Sequence, residues 1–206
     1  MLPLLLLLPF FAAAQTHRAD GFSGLPPGAT VAIMPLDIEL FEISAGGVIE
    51  PRADWTAVAA DHLRAGLRAR HRNAKELAAD DAMAEVLRLH RAVSQAVLAH
   101  HFGPRKLPSK QGRLEWSLGP DVAPLRESSG ADFALFTWIR DTYASGARKA
   151  LGLGLGGGVQ SAHASLVDLK SGEVVWFNRL RRLSGDLRET EPAAETLEAL
   201  LADYPQ

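Results

Sequence analysis

The apolar and polar positions of this chain follow two periods in turn. Val31, Ile33, Leu36, Ile38 and Leu40 space apolar side chains along a first strand over 31–40. Pro35 cannot donate to a sheet ladder, so it implies a bend or an edge position there. Ala45 to Pro51 reads as a turn region. From Asp54, a good N-cap, a helix is expected to about Arg72, because Trp55, Val58, Ala59, His62, Leu63, Gly66 and Leu67 recur every three or four residues. A second, longer helix is expected over about Ala74 to His101, with Met83, Val86, Leu87, His90, Val93 and Val97 on its buried face and Gly103-Pro104 after it. Phe102 to Gly130 is loop-rich. It holds a candidate short strand at Leu114–Leu118 and a short helix at Asp121–Ser129, with Gly130 as its stop.

The clearest pattern follows. Ala131 to Ala144 places Phe133, Leu135, Phe136, Trp138 and Ile139 on both alternating faces, which predicts a strand in the middle of a sheet covered on both sides. Beyond Ile139 the polar run Arg140, Asp141, Thr142 predicts that this end emerges into solvent. Ser161–Leu169 and Glu173–Leu180 read as two strands joined at Lys170-Ser171-Gly172, a tight turn with glycine where a positive φ is needed. Pro192 opens a closing helix to Tyr204 with Ala193, Leu197, Leu200 and Leu201 facing inward. The order of elements predicts one α+β domain over 31–204, a mixed or mainly antiparallel sheet packed by helices.

Ahead of that domain, Leu4–Leu8 and Phe10–Ala14 form an apolar core broken by Pro9, and Ala12-Ala13-Ala14 supplies the small residues of a cleavage site before Gln15. Residues 1–14 are too short for a permanent bilayer span, which needs roughly 20 residues. They read as a secretory signal peptide cut between Ala14 and Gln15. No Lys or Arg precedes the apolar core, which leaves open an upstream start or an atypical leader. A buried N-terminal strand or helix is the alternative. Residues 15–30, with Pro26-Pro27-Gly28, read as a flexible lead-in.

Charge and composition narrow the function classes. The net charge of −2 argues against nucleic acid, which demands a basic face. The absence of cysteine excludes disulfides, thiolate chemistry, cysteine metal sites and an acylated anchor.

The glycine-rich segment raises several readings. Gly152, Gly154 and Gly157 formally match a dinucleotide fingerprint, but that motif must open a helix, and here it leads into a strand. No lysine follows in the place a phosphate-binding loop needs. The plain reading is a flexible connection between strands. A second is a mobile tip at Gly152, Gly154, Gly156, Gly157 and Gly158. A third uses Ala150–Val159 as a membrane-inserting strand, for which roughly 9–11 residues suffice, although the alternating large side chains are missing.

The remaining chemistry is sparse. His62 and His90 fall on apolar helix stripes, where a packed, hydrogen-bonded imidazole is the common case. His100 and His101 point about 100° apart on a helix and cannot chelate together. No His-Glu-x-x-His spacing and no Gly-x-Ser-x-Gly elbow exists. Ser128, Ser129, Ser145 and Ser161 have no readable base beside them. Asp132 and Asp141 flank the central strand as acid–base candidates, and Asp80-Asp81 reads as a solvated turn. Arg140, Asp141, Tyr143 and Arg148 form a polar cluster that reads as a binding patch or as an ordinary strand end making ion pairs. No catalytic, cofactor or metal residue is identified.

Gly130-Ala131-Asp132-Phe133-Ala134-Leu135-Phe136, then Ala164 to Trp176 with its Asp168-Leu169-Lys170-Ser171-Gly172-Glu173-Val174-Val175-Trp176 hairpin, and Val31-Ala32-Ile33-Met34-Pro35-Leu36 at the front, carry a resemblance. Over about residues 30–203 the chain resembles a superfamily of bacterial envelope accessory proteins. It includes the curli secretion channel subunit, the lipoprotein activators of penicillin-binding proteins and the N-terminal domain of the Tol–Pal β-propeller protein. The chain is closer still to uncharacterised envelope proteins with the same hairpin. The resemblance implies a non-enzymatic scaffold that binds another envelope protein, and it carries no catalytic residue over. Many such proteins are lipoproteins, whereas this sequence offers no cysteine to acylate, so attachment by lipidation is not expected. The main expectation is thus a secreted, periplasmic accessory protein acting through protein–protein contact. The alternatives are an oligomer at the outer membrane that inserts or apposes segment 150–159, and a periplasmic protein that binds a small ligand.

Overall fold

The computed structural model describes residues 15–71, 74–78, 81–152, 159–183 and 185–205. The expected leader over 1–14 and four of the tip glycines, Gly154, Gly156, Gly157 and Gly158, lie outside the described residues.

The elements run β1 (Gln15–Arg18), β2 (Val31–Ile33), β3 (Asp37–Ile43), β4 (Ile49–Pro51), α1 (Ala53–Arg70), β5 (Lys75–Glu76) and α2 (Asp81–Val97). A π-helical turn over Leu98–Phe102 extends α2. Then come α3 (Ala123–Ser129), β6 (Phe133–Ala144), α4 (Gly146–Ala150), β7 (Gln160–Asp168), β8 (Val174–Arg182) and α5 (Thr190–Leu200). The strands form one sheet ordered β1-β8-β7-β6-β2-β5, with β3 also beside β6 and β4 beside β3. β1, β8, β7 and β6 pair antiparallel, whereas β2 and β3 run parallel to β6. The sheet is mixed and carries helices on both faces, the α+β sandwich the pattern predicts.

Pro35 marks a break in what the pattern shows as one strand. Ile33 pairs with Leu135 and Asp37 with Trp138, so Met34, Pro35 and Leu36 stand opposite only Phe136 and Thr137. One extra residue in one strand is a bulge, and a proline without an N–H is tolerated there.

Period two along β6 divides the core. Leu135, Ile139 and Tyr143 face a cluster with Leu63 and Leu67 of α1 and Leu197 and Leu200 of α5. Ala134 and Phe136 face the opposite cluster, with Met83, Val86 and Val97 of α2 and Leu125 of α3. Trp176 of β8 is fully buried in the first cluster, and burying such a large side chain contributes roughly 2–3 kcal/mol. The inward set predicted for the closing helix, Ala193, Leu197, Leu200 and Leu201, is buried. Gly130 caps α3 at φ 66° and Gly172 turns the β7–β8 hairpin at φ 77°, as expected of both.

Several expectations need correction. Residues 15–18 are not a free lead-in: β1 completes the sheet beside β8, from Gln15 opposite Arg179 to Arg18 opposite Trp176. The turn region 45–51 contains β4, hairpinned onto β3. Asp54 is not the N-cap of α1. Arg52 holds that position, and the Asp54 carboxylate takes its guanidinium at 3.0 and 2.7 Å. The second helix starts at Asp81 rather than Ala74, because Lys75 and Glu76 pair with Ala32 and Ile33 as β5. Leu114–Leu118 contributes only a single bridge, Ser117 to Glu173. Finally, β6 does not emerge into solvent after Ile139: Asp141 is 1% and Tyr143 2% exposed.

Candidate functional site

Successive side chains on β6 point to opposite faces, so the strand cannot present Arg140, Asp141 and Tyr143 as one patch. Asp141 and Tyr143 face α5 and the 185–189 loop. Tyr143 donates its hydroxyl to Asp141 Oδ2 at 2.7 Å, Gln160 Nε2 donates to the same oxygen at 2.8 Å, and the Thr142 N–H donates to Oδ1 at 2.7 Å. Leu187 N–H donates to the Tyr143 hydroxyl at 2.8 Å, and Thr196 donates to Gln160 Oε1 at 3.1 Å. Burial raises the Asp141 carboxyl above its ordinary value, against the pull of these donors. Three donors reach the carboxylate of Asp141, which is 1% exposed, so the side chain ties β6, β7 and the loop together.

Arg140 lies on the other face. It grips Asp37 Oδ1 at 2.6 Å and Glu39 at 3.4 Å, while Arg91 of α2 holds Asp37 Oδ2 at 2.8 Å. Arg148 belongs to α4, where its N–H donates to the Ser145 cap and its guanidinium to the Ser44 carbonyl. The four residues thus serve three separate contacts.

The end of the sheet beyond these residues has a different character. Ile43 pairs with Ala144 and with Ile49, and Gln160 pairs with Arg182, so the 44–48 turn, α4 and the ends of β7 and β8 meet at one end. Val48, Ile49, Leu151, Val159 and Leu183 are exposed by 57, 58, 64, 45 and 71% there. Among the described residues only one other large apolar side chain, Val58, is comparably exposed. Gly152, at φ 66°, follows Leu151 in this end. Trp55 stands nearby between two guanidiniums, with Arg52 4.0 Å and Arg188 4.2 Å from its ring centre.

A cavity of about 270 Å³ opens on the Arg140 face, between α2 and the bulge at Pro35. Phe136, Trp138, His90 and His163 form much of its wall and Asp37 and Arg91 part of its rim. His163 stacks on Trp138 at 5.0 Å, and His90 stacks on Phe136 at 3.9 Å. No local motif announces this grouping, because β3, α2, β6 and β7 each contribute to it.

The other histidines take structural places. His62 contacts the Leu187 carbonyl at 3.2 Å and His100 the Arg105 carbonyl at 2.8 Å, while His101 meets His17 edge to face at 4.3 Å. Asp132 accepts from Thr30 at the opposite end of the sheet. Among the described residues no three His, Asp or Glu side chains are grouped to hold a metal ion. No helix among them is long and apolar enough to cross a membrane.

No protein-family model matches the chain, and no curated protein matches it. Among solved structures it is similar to a PelC dodecamer from Paraburkholderia phytofirmans, at 15% identity and TM-score 0.43, covering 94% of this chain and 99% of that one. It is similar to the LpoB C-terminal domain from Salmonella enterica at 13% identity and TM-score 0.33, covering 81% and 88%. It is also similar to lipoprotein GNA1162 from Neisseria meningitidis at 16% identity and TM-score 0.31, covering 76% and 81%.

Proposed function

We propose that the protein is a non-enzymatic, secreted accessory protein of the bacterial envelope, working in the periplasm by contact with another envelope protein. The contact surface is the end of the sheet that carries Val48, Ile49, Leu151, Val159 and Leu183. Their placement at one end of the sheet is the observation that supports this reading. Single exposed apolar side chains are ordinary, whereas a group of them at one end marks an interaction site. Arg148 and Lys149 stand on α4 just before Leu151, so the partner surface suits an apolar patch with an acidic rim.

The test places a photo-crosslinking residue at Ile49 or Leu151 and, as a control, at Lys170 in the hairpin at the far end. One envelope protein captured in near-stoichiometric yield from the first two positions, and not from Lys170, supports the reading. Equal capture at all three positions, or none, overturns it.

One observation favours a second reading. Leu151, 64% exposed, and Gly152 stand at this same end, and the uncharged, glycine-rich run 153–158 follows them in the sequence. That placement suits an oligomer whose apolar end is apposed to the outer membrane, with Leu151 and Gly152 at the contact. Flotation of the protein with anionic phospholipid vesicles, lost on replacing Ile49 and Leu151 by Asp, separates this reading from a purely protein contact.

A further inference from the structure

α2 roofs only part of the sheet face on which it lies. Arg91 of α2 reaches Asp37 on β3, His90 stacks on Phe136 of β6, and Phe102 lies against Phe177 and Arg179 of β8. The second half of α2 and its π-helical turn therefore cross the sheet from β3 to β8. They run along the row Asp37, Trp138, His163, Arg179.

Beyond that row the strands continue with period two, so alternate residues stay on the same face. Glu39, Arg140, Ser161 and Arg181 form the next row. Phe41 and Thr142 follow, with Pro51 of β4 beside them, and then Ile43 and Ala144 with Ile49. A polar row thus borders an apolar floor. Among the described residues, Phe41 and Ile43 belong to neither hydrophobic cluster of the core. Both are half-buried, while Pro51 and Ile49 are exposed. An apolar sheet face is ordinarily buried by a second layer.

The surroundings say what that layer is. β3, β6 and β7 are each paired on both sides, so a partner meets side chains here and adds no strand. α2 stands beside the open rows and makes them the floor of a step one helix deep. A second helix laid alongside α2, at the about 8–10 Å that separates packed helices, fills this step. Crossing from β4 to β8 covers four strand spacings of about 4.8 Å, which a helix of about 13 residues spans. Arg181 sets the charge. Arg140 is already held by Asp37 and Glu39, whereas Arg181 is exposed and makes no ion pair among the described residues.

On the footing that this end of the sheet contacts another envelope protein, we infer that the open face takes an amphipathic helix of that partner. Its apolar residues, at i, i+3 or i+4 and i+7, lie on Phe41, Ile43 and Ile49, and a carboxylate at its β8 end meets Arg181.

The test places a photo-crosslinking residue at Thr142 and, independently, at Ser161, in the full chain in its native host, with Leu151 as the comparison. The crosslinked partner segment is sequenced and made as a synthetic peptide. A segment with apolar residues at helical spacing and a Glu or Asp beside them is expected. Arg181→Glu should weaken the peptide about tenfold or more, and changing its carboxylate to Lys should restore binding to that variant. Near-ultraviolet circular dichroism shows that each variant keeps the native packing. An extended segment, a second copy of this chain or lipid at the crosslink overturns the inference, and so does a peptide indifferent to Arg181→Glu. Capture at Leu151 but at neither Thr142 nor Ser161 also overturns it and leaves the apolar end as a contact surface. Capture at none of the three removes both readings.

Discussion

Tyr143 donates its hydroxyl to Asp141, two residues back on the same face of β6, and accepts the Leu187 N–H in return. The pair links the central strand to the loop before α5. Asp141→Ala leaves the Tyr143 hydroxyl and the Gln160 amide buried without their acceptor, and is expected to destabilise by about 3 kcal/mol in urea unfolding. The sign of the pH effect follows from burial. The folded carboxyl titrates above its ordinary value, so its contribution is fully present below pH 3.8 and is lost as pH rises through the raised value. The wild type should therefore gain stability relative to Asp141→Asn as pH falls from 7.5 to 4.5. A gap that stays constant or reverses would show that burial does not dominate at Asp141.

Leu197 occupies the space that a side chain at Gly66 would need. A Cβ on Gly66 would lie 2.6 Å from Leu197 Cδ2, where α1 and α5 cross. Helix propensity favours alanine over glycine by roughly 1 kcal/mol, but overpacking a core contact costs about 1–3 kcal/mol. Gly66→Ala is expected to lower stability by about 1 kcal/mol. The same change in a Leu197→Val background should lose less, and a double-mutant cycle of unfolding free energies measures the difference.

Much of this fold is written in side-chain periods. Phe133 to Ile139 alternates for two buried faces, Gly172 marks its turn, and the α5 stripe names its own buried residues. The short strands leave no such mark: β1 and β5 are polar pieces of four and two residues held by main-chain bonds to neighbours distant in sequence. Asp141 and Tyr143 were legible in part, since period two puts them on the face of Leu135 and Ile139. Polarity reads as exposure only until Gln160 and Leu187 bring buried donors, and both come from other segments. The cavity is the least legible feature. Asp37, Arg91, Trp138 and His163 meet only because β3 and β7 flank β6 and α2 crosses over them.

The β7–β8 turn admits a sharper test of glycine. Gly172 sits at φ 77°, and a Cβ there would stand 2.2 Å from the Gly119 carbonyl oxygen. Its own carbonyl accepts from the Leu118 N–H at 2.8 Å, so the hairpin and the 117–119 loop are joined at this residue. Left-handed backbone costs an L-residue about 1–2 kcal/mol, and here a backbone clash adds to it. Gly172→Ala is expected to lose more than 2 kcal/mol and to speed amide exchange at Leu118. Gly112, at φ 78° with open space around it, serves as the control and should lose only the conformational part.

Acid should weaken the core through its histidines. His163 faces His90, Asp37 and Arg140; the carboxylate favours its charged form and the guanidinium opposes it, but burial is the larger effect and sets its value at about 4. The unfolded chain titrates near 6.5, so it takes up protons that the folded ring refuses. Stability is then full above pH 6.5 and falls as pH drops towards 4, by roughly 3 kcal/mol from this residue alone at 1.36 kcal/mol per unit. His90, lowered by burial and by His163, adds in the same direction. Urea midpoints between pH 7.5 and 4.5 should fall steeply for the wild type. For His163→Phe the proton uptake on unfolding should be smaller by about one proton near pH 5, and an unchanged slope would place the acid sensitivity elsewhere.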